Sequence, residues 1–276
     1  MNSIYHFFKN LVENKKSFIP VDKLENFPFD NRLLACKNIG IFPDLAIKLN
    51  KDKSIFSGGE LVELKDSQSY SVSSFNSTIP AGTKDISKFI SGENSRIYRQ
   101  MEKAGNDIYS LPVRGVFYLV RGKKNNNCKV CLLHGSFFET VRVDDLISKS
   151  FMQVLEDNLK ESDTELNQNI KDVIHKLFSE QENFSTVRNV EKASVKLRFR
   201  IMTEVKAEGN ILNSNKYPEI IDNSLNFILP CHNDDEEKEI INKFNLVFNK
   251  KERKSFNIFK IKHHLNGYFI IFQNVL

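Results

Sequence analysis

Two apolar runs, Ile39-Gly40-Ile41-Phe42-Pro43-Asp44-Leu45-Ala46-Ile47-Lys48-Leu49 and Gly59-Glu60-Leu61-Val62-Glu63-Leu64-Lys65, carry the architecture of this chain. In the first, Leu45, Ile47 and Leu49 alternate with smaller or polar residues, as in a strand with one buried face. A polar stretch with Asn50, Lys51, Asp52, Lys53 and Gly58 separates the runs, so together they read as a β-hairpin. Residues two apart on a strand share a face, which sends Glu63 and Lys65 one way and Val62 and Leu64 the other, into apolar packing. A hairpin symmetric about its loop sets Asp44 across from Glu63, with Cβ atoms about 4.5 to 5.5 Å apart.

Working outward, a helix is predicted over Tyr5 to Asn14, before a stretch punctuated by Pro20 and Pro28. Downstream, Ser67 to Thr83 is rich in Ser, Gly and Asn, and Ser95 to Ala104 reads as a helix. Gly115 to Arg121 and Cys128 to His134 read as strands joined by a turn over Lys123 to Asn127. Helical spacing returns at Val143 to Leu159 and Glu165 to Phe178, followed by a basic strand, Val195 to Ile201. The acidic run Asn233 to Glu239 opens a helix through Phe244, and Ser255 to Lys262 with Gly267 to Gln273 form a hairpin about Asn266-Gly267. The expected fold is α/β, a central mixed sheet flanked by helices. A core over residues 1–160 is expected to carry an additional C-terminal α/β subdomain over 161–276.

The length of 276 residues, 40% hydrophobic and 27% charged, suits a folded globular protein rather than a disordered one. A net charge of +5 is compatible with a polyanionic partner without requiring one. No apolar run reaches the roughly 20 residues of a membrane span, and the N-terminus lacks the pattern of a secretory signal, so a cytoplasmic location is expected. Four cysteines, Cys36, Cys128, Cys131 and Cys231, are too scattered for a disulfide framework.

Two opposed carboxylates at about 5 Å and an effective dielectric near 20 repel by roughly 3 kcal/mol, so Asp44 and Glu63 are costly neighbours unless a cation lies between them. Oxygen ligands of this kind suit Mg²⁺, with Mn²⁺ as a substitute, completed by water and substrate phosphate. Lys65 adds a compact positive charge able to orient an attacking water and stabilise a phosphorane-like transition state. The triplet Glu-x-Lys also occurs at Glu13, Glu204, Glu236 and Glu252, but only Glu63 follows the chain's single Pro-Asp pair at hairpin distance.

Pro43-Asp44, eighteen intervening residues and then Glu63-Leu64-Lys65 resemble the PD-(D/E)xK nuclease superfamily, the fold of many type II restriction endonucleases. The resemblance spans about the first 160 residues. It implies that Asp44 and Glu63 are metal ligands, that Lys65 takes part in water activation, and that the chain is a Mg²⁺-dependent, sequence-specific endonuclease of double-stranded DNA. A repair or recombination nuclease of the same superfamily is the alternative enzyme, and a non-catalytic nucleic-acid-binding protein the alternative from another class.

For DNA contacts, Gln68, Ser73, Ser74, Asn76 and Ser77 offer groups able to bond base edges, the other reading being an ordinary polar loop. Arg96, Arg99, Arg114, Arg121, Lys123 and Lys124 are candidates for phosphate contacts, and Lys196, Arg198 and Arg200 line the strand read as DNA-facing. Cys128 and Cys131 have the spacing of a zinc site, but positions three apart on a strand face opposite ways, so no zinc is expected. His263-His264 reads as a solvated turn. One catalytic set per chain and two strands per duplex predict a homodimer.

Overall fold

A computed structural model describes residues 3–27, 29, 34–36, 42–48, 59–72, 80–85, 99, 112–139, 152–154, 156–157, 167–169, 172–173, 186–190, 193–196 and 209–276. Helix α1 (Ser3–Glu13) places Ile4, Phe7, Phe8 and Leu11 at helical spacing, and all four are buried. The strands are β1 (Leu34–Cys36), β2 (Leu45–Ile47), β3 (Leu61–Ser67), β4 (Thr83–Asp85), β5 (Val113–Lys124), β6 (Asn127–His134), β7 (Thr186–Val190), β8 (Ala193–Lys196), β9 (Ser224–Pro230), β10 (Phe256–His263) and β11 (Gly267–Val275). Helices α2 (Asp234–Val247) and α3 (Lys250–Arg253) lie between β9 and β10. The acidic run opens α2 as expected: Asn233 caps it by accepting from the Asp235 and Glu236 amides, and four acids fill the first turn.

A mixed sheet runs in the order β1-β2-β3-β5-β6-β9-β11-β10, with β4 paired to β5 off this path. Neighbours β3 and β5 are parallel, as are β6 and β9, while the remaining pairs are antiparallel. Parallel neighbours need long crossovers, which accounts for the chain between β3 and β5 and between β6 and β9. One face packs Leu45, Ile47, Val62, Phe117, Leu119 and Phe227 against α1 and α2. The other packs Ala46, Leu61, Tyr118, Val120, Leu133 and Phe269 with Phe137, Val72 and the segment holding Ile211, Leu212 and Tyr217.

The fold is therefore mixed α/β with a large sheet and few helices among the described residues. The expected boundary at residue 160 is not where the chain divides. Residues 1–139 and 203–276 form one compact unit and 140–202 the other, because β9, β10 and β11 complete the central sheet instead of building a separate subdomain. Strand β9, Ser224-Leu225-Asn226-Phe227-Ile228-Leu229-Pro230, is buried on both faces, with Ser224 and Asn226 themselves buried, so its short polar–apolar alternation marks no solvent face and leaves no strand signal in sequence. The second unit holds the β7–β8 hairpin and helical residues at 152–154, 156–157, 168–169 and 172–173. No described helix is long and apolar enough to cross a membrane.

Candidate active site

Register places the acids. Strands β2 and β3 pair Leu45 with Val62 and Ala46 with Leu61, and the Ile47 amide donates to the Glu60 carbonyl at 3.0 Å. Continued by one residue, the same register sets Asp44 opposite Glu63. Gly59 permits the close approach that starts this pairing, since a Cβ there would lie 1.8 Å from the Ile47 carbonyl oxygen. Val62 packs in the α1 face and Leu61 in the opposite one, so Glu63 and Lys65 project with Leu61, away from α1, on the face that also carries Ala46.

Just outside the β2 ladder, Asp44 uses Oδ2 to accept the Leu64 amide at 2.8 Å, so this carboxylate also anchors the backbone between Glu63 and Lys65. Glu63 is 5% exposed. The Lys65 Nζ lies 3.4 Å from Glu63 Oε1, a partly buried ion pair on the shared face. Lys65 also lines a shallow depression with Asp66, Ser67, Ser71, Val72 and Val120. Asp44 and Glu63 are the oxygen donors here that could hold a hard divalent cation, with Lys65 beside them.

Three neighbours escaped the sequence reading. Glu60 is buried on the α1 side, where it accepts the Ser3 hydroxyl and the Ile4 amide at the start of α1; burial raises its pKa. It serves the helix N-terminus rather than the site. Asp66, on the same side as Val62, receives Arg121 through both carboxylate oxygens at 2.8 and 2.7 Å. The fully buried Arg121 also donates to the Phe18 and Asp22 carbonyls, tying the segment after α1 to β3. Lys84, at 8% exposure, rests its ammonium 5.3 Å from the Phe42 ring. Of the three, only Glu60 leaves a trace in the sequence, an acid directly before the apolar strand start Leu61-Val62.

Other expected residues distribute differently. Gln68 is exposed just beyond β3, and Arg99 is exposed on a helical turn. Arg114 is not a surface phosphate ligand: it is 3% exposed and donates to the Gly59 carbonyl at 3.2 Å, bracing the start of β3. Arg121 is likewise occupied, and Lys123 donates to the Val21 carbonyl, whereas Lys124 is exposed. Lys196 ends β8 in the second unit. Ser73, Ser74, Asn76, Ser77, Arg96, Arg198 and Arg200 lie outside the described residues. Cys128 and Cys131 fall in opposite core clusters, as strand geometry requires. His263 is not a solvated turn residue; it is buried, and its Nδ1 accepts the Leu265 and Asn266 amides. Among the described residues no three His, Cys, Asp or Glu side chains gather into a larger metal-binding group.

No protein-family model, curated protein or solved structure matches this chain.

Proposed function

We propose that this chain is a Mg²⁺-dependent endonuclease of double-stranded DNA of the PD-(D/E)xK type, acting as a type II restriction enzyme. One observation supports it most: the register of β2 on β3 sets Asp44 opposite Glu63, with Lys65 beside Glu63 on the same face. Asp44 and Glu63 would hold the metal, with Mn²⁺ as a substitute. When bound there, Mg²⁺ supplies charge neutralisation and polarises the phosphodiester.

The chain's own groups do the remaining work. Asp44 holds the β3 backbone through the Leu64 amide, which keeps Glu63 and Lys65 aligned. Lys65 orients the attacking water and stabilises negative charge as the new P–O bond forms and the old one breaks. A restriction enzyme and a repair nuclease share this chemistry and differ in products. Purified protein incubated with plasmid or phage DNA and Mg²⁺ is expected to give discrete fragments, and none in EDTA. Heterogeneous nicking would favour the repair alternative, and cleavage unchanged in EDTA would exclude the metal-dependent reading.

A further inference from the structure

Strand β5 runs beside β3 in parallel register and brings one more polar group to the candidate site. All five residues of Val116-Phe117-Tyr118-Leu119-Val120 are buried, and the Tyr118 hydroxyl is the one polar side-chain group among them. A Phe would fill nearly the same volume, and burying a hydroxyl is unfavourable unless it finds a hydrogen bond. Register pairs Tyr118 with Glu63, and Val120 with Lys65. Tyr118 packs with Leu61, Val116 and Val120, so it projects from the face that carries Glu63 and Lys65. Glu63 and Tyr118 are thus lateral neighbours on adjacent strands, whose spacing is about 4.8 Å.

The ring is held in place from its other sides. Phe138 meets it edge-on, with centroids 5.3 Å apart at 90°, and Phe138 itself meets Phe137 at 5.6 Å. Leu133 of β6 flanks Tyr118 opposite to Glu63. On Glu63, Oε1 lies 3.4 Å from the Lys65 ammonium and Oε2 is buried; the Tyr118 Oη is buried as well. A phenol can donate where a carboxylate can only accept. Carboxylates that ligate a metal are themselves hydrogen-bonded, and that bond sets how they meet the ion.

We propose that Tyr118 is the positioning residue for Glu63: its hydroxyl donates to the Glu63 carboxylate when the cation is bound. The inference rests on the nuclease reading for that cation, but it is tested on metal affinity as well as on cleavage. Tyr118→Phe removes the hydroxyl and keeps the ring. Mn²⁺ binding is followed by electron paramagnetic resonance in Lys65→Ala protein on duplex DNA, after subtraction of the ions held by the duplex alone. Adding Tyr118→Phe is expected to raise the Mn²⁺ Kd about tenfold. In otherwise wild-type protein the same change should slow cleavage about tenfold at limiting Mn²⁺, with KM for DNA unaltered and the rate restored by saturating Mn²⁺. A hydroxyl that serves packing alone would shift the urea midpoint of the metal-free protein and leave the Mn²⁺ Kd where it was, and that result overturns the proposal. Cleavage by wild type with Kd and rate both unchanged in Tyr118→Phe refutes the positioning role alone. Mn²⁺ binding that weakens as expected in a protein that never cuts DNA refutes the nuclease reading alone.

Discussion

Asp44, Glu63 and Lys65 are three side chains whose meaning depends on one another. Replacing any of them by Ala is expected to lower the cleavage rate by at least about 100-fold while DNA binding is largely kept, because in the proposed mechanism each would act on the reacting phosphate and not on the duplex as a whole. Cleavage kinetics beside anisotropy binding checks this, and wild-type rates in any one variant would remove that residue from the site. His134 makes a different prediction. Its Nδ1 lies 2.8 Å from the Ser136 hydroxyl, and burial pushes its pKa down to about 4. The unfolded chain, with an imidazole near pH 6.5, binds that proton more readily. The contribution of neutral His134 is therefore complete above about pH 6.5 and lost as pH falls toward about 4, a change on the order of 3 kcal/mol. A His134→Asn variant keeps an acceptor toward Ser136 without titrating, so urea unfolding should show wild type losing stability relative to it across that window. Parallel pH profiles would contradict the assignment.

At the scale of elements, the hairpin was legible because its information is local. Alternation at Leu45 and Ile47, the polar stretch after them and the apolar positions of the second strand are enough to count Asp44 onto Glu63, and the register agrees. The C-terminal hairpin was readable for the same reason, although its turn spans the three residues 264–266 instead of the dipeptide Asn266-Gly267, with Gly267, at φ +79°, opening β11 opposite His263. Its place in the molecule was not. That β9 lies parallel to β6 and carries β11 and β10 into the central sheet is a long-range fact, and nothing local to residues 224–230 names the strands they pair with. Arg114 and Arg121 are candidates for phosphate contacts in sequence, and donate to buried carbonyls in the structure, because a basic residue on a strand looks the same in sequence whichever it faces. The Arg121–Asp66 clamp gives the element-scale prediction: Asp66→Ala leaves a buried guanidinium without its carboxylate and is expected to cost about 3 to 5 kcal/mol. Denaturant unfolding checks it, and a loss below about 1 kcal/mol would mean that the carbonyls of Phe18 and Asp22 suffice.

For the whole molecule, the proposed reading gives one catalytic set per chain for a substrate with two strands related by a twofold axis. A homodimer would supply the second set, and light scattering with and without cognate duplex is expected to give two 32.0 kDa chains per particle in at least the bound state, after the duplex mass is subtracted. A monomeric mass in both states, with only one strand nicked, would refute the dimer and leave the catalytic assignment standing. The proposed chemistry requires Asp44 and Glu63 to share a divalent cation. Electron paramagnetic resonance of Mn²⁺ added to the Lys65→Ala protein on duplex DNA measures that directly, since this variant keeps both carboxylates and should not consume the substrate. Bound Mn²⁺ is expected in that protein and should disappear when Asp44→Ala or Glu63→Ala is added; the same bound signal after both carboxylates are removed would contradict the account.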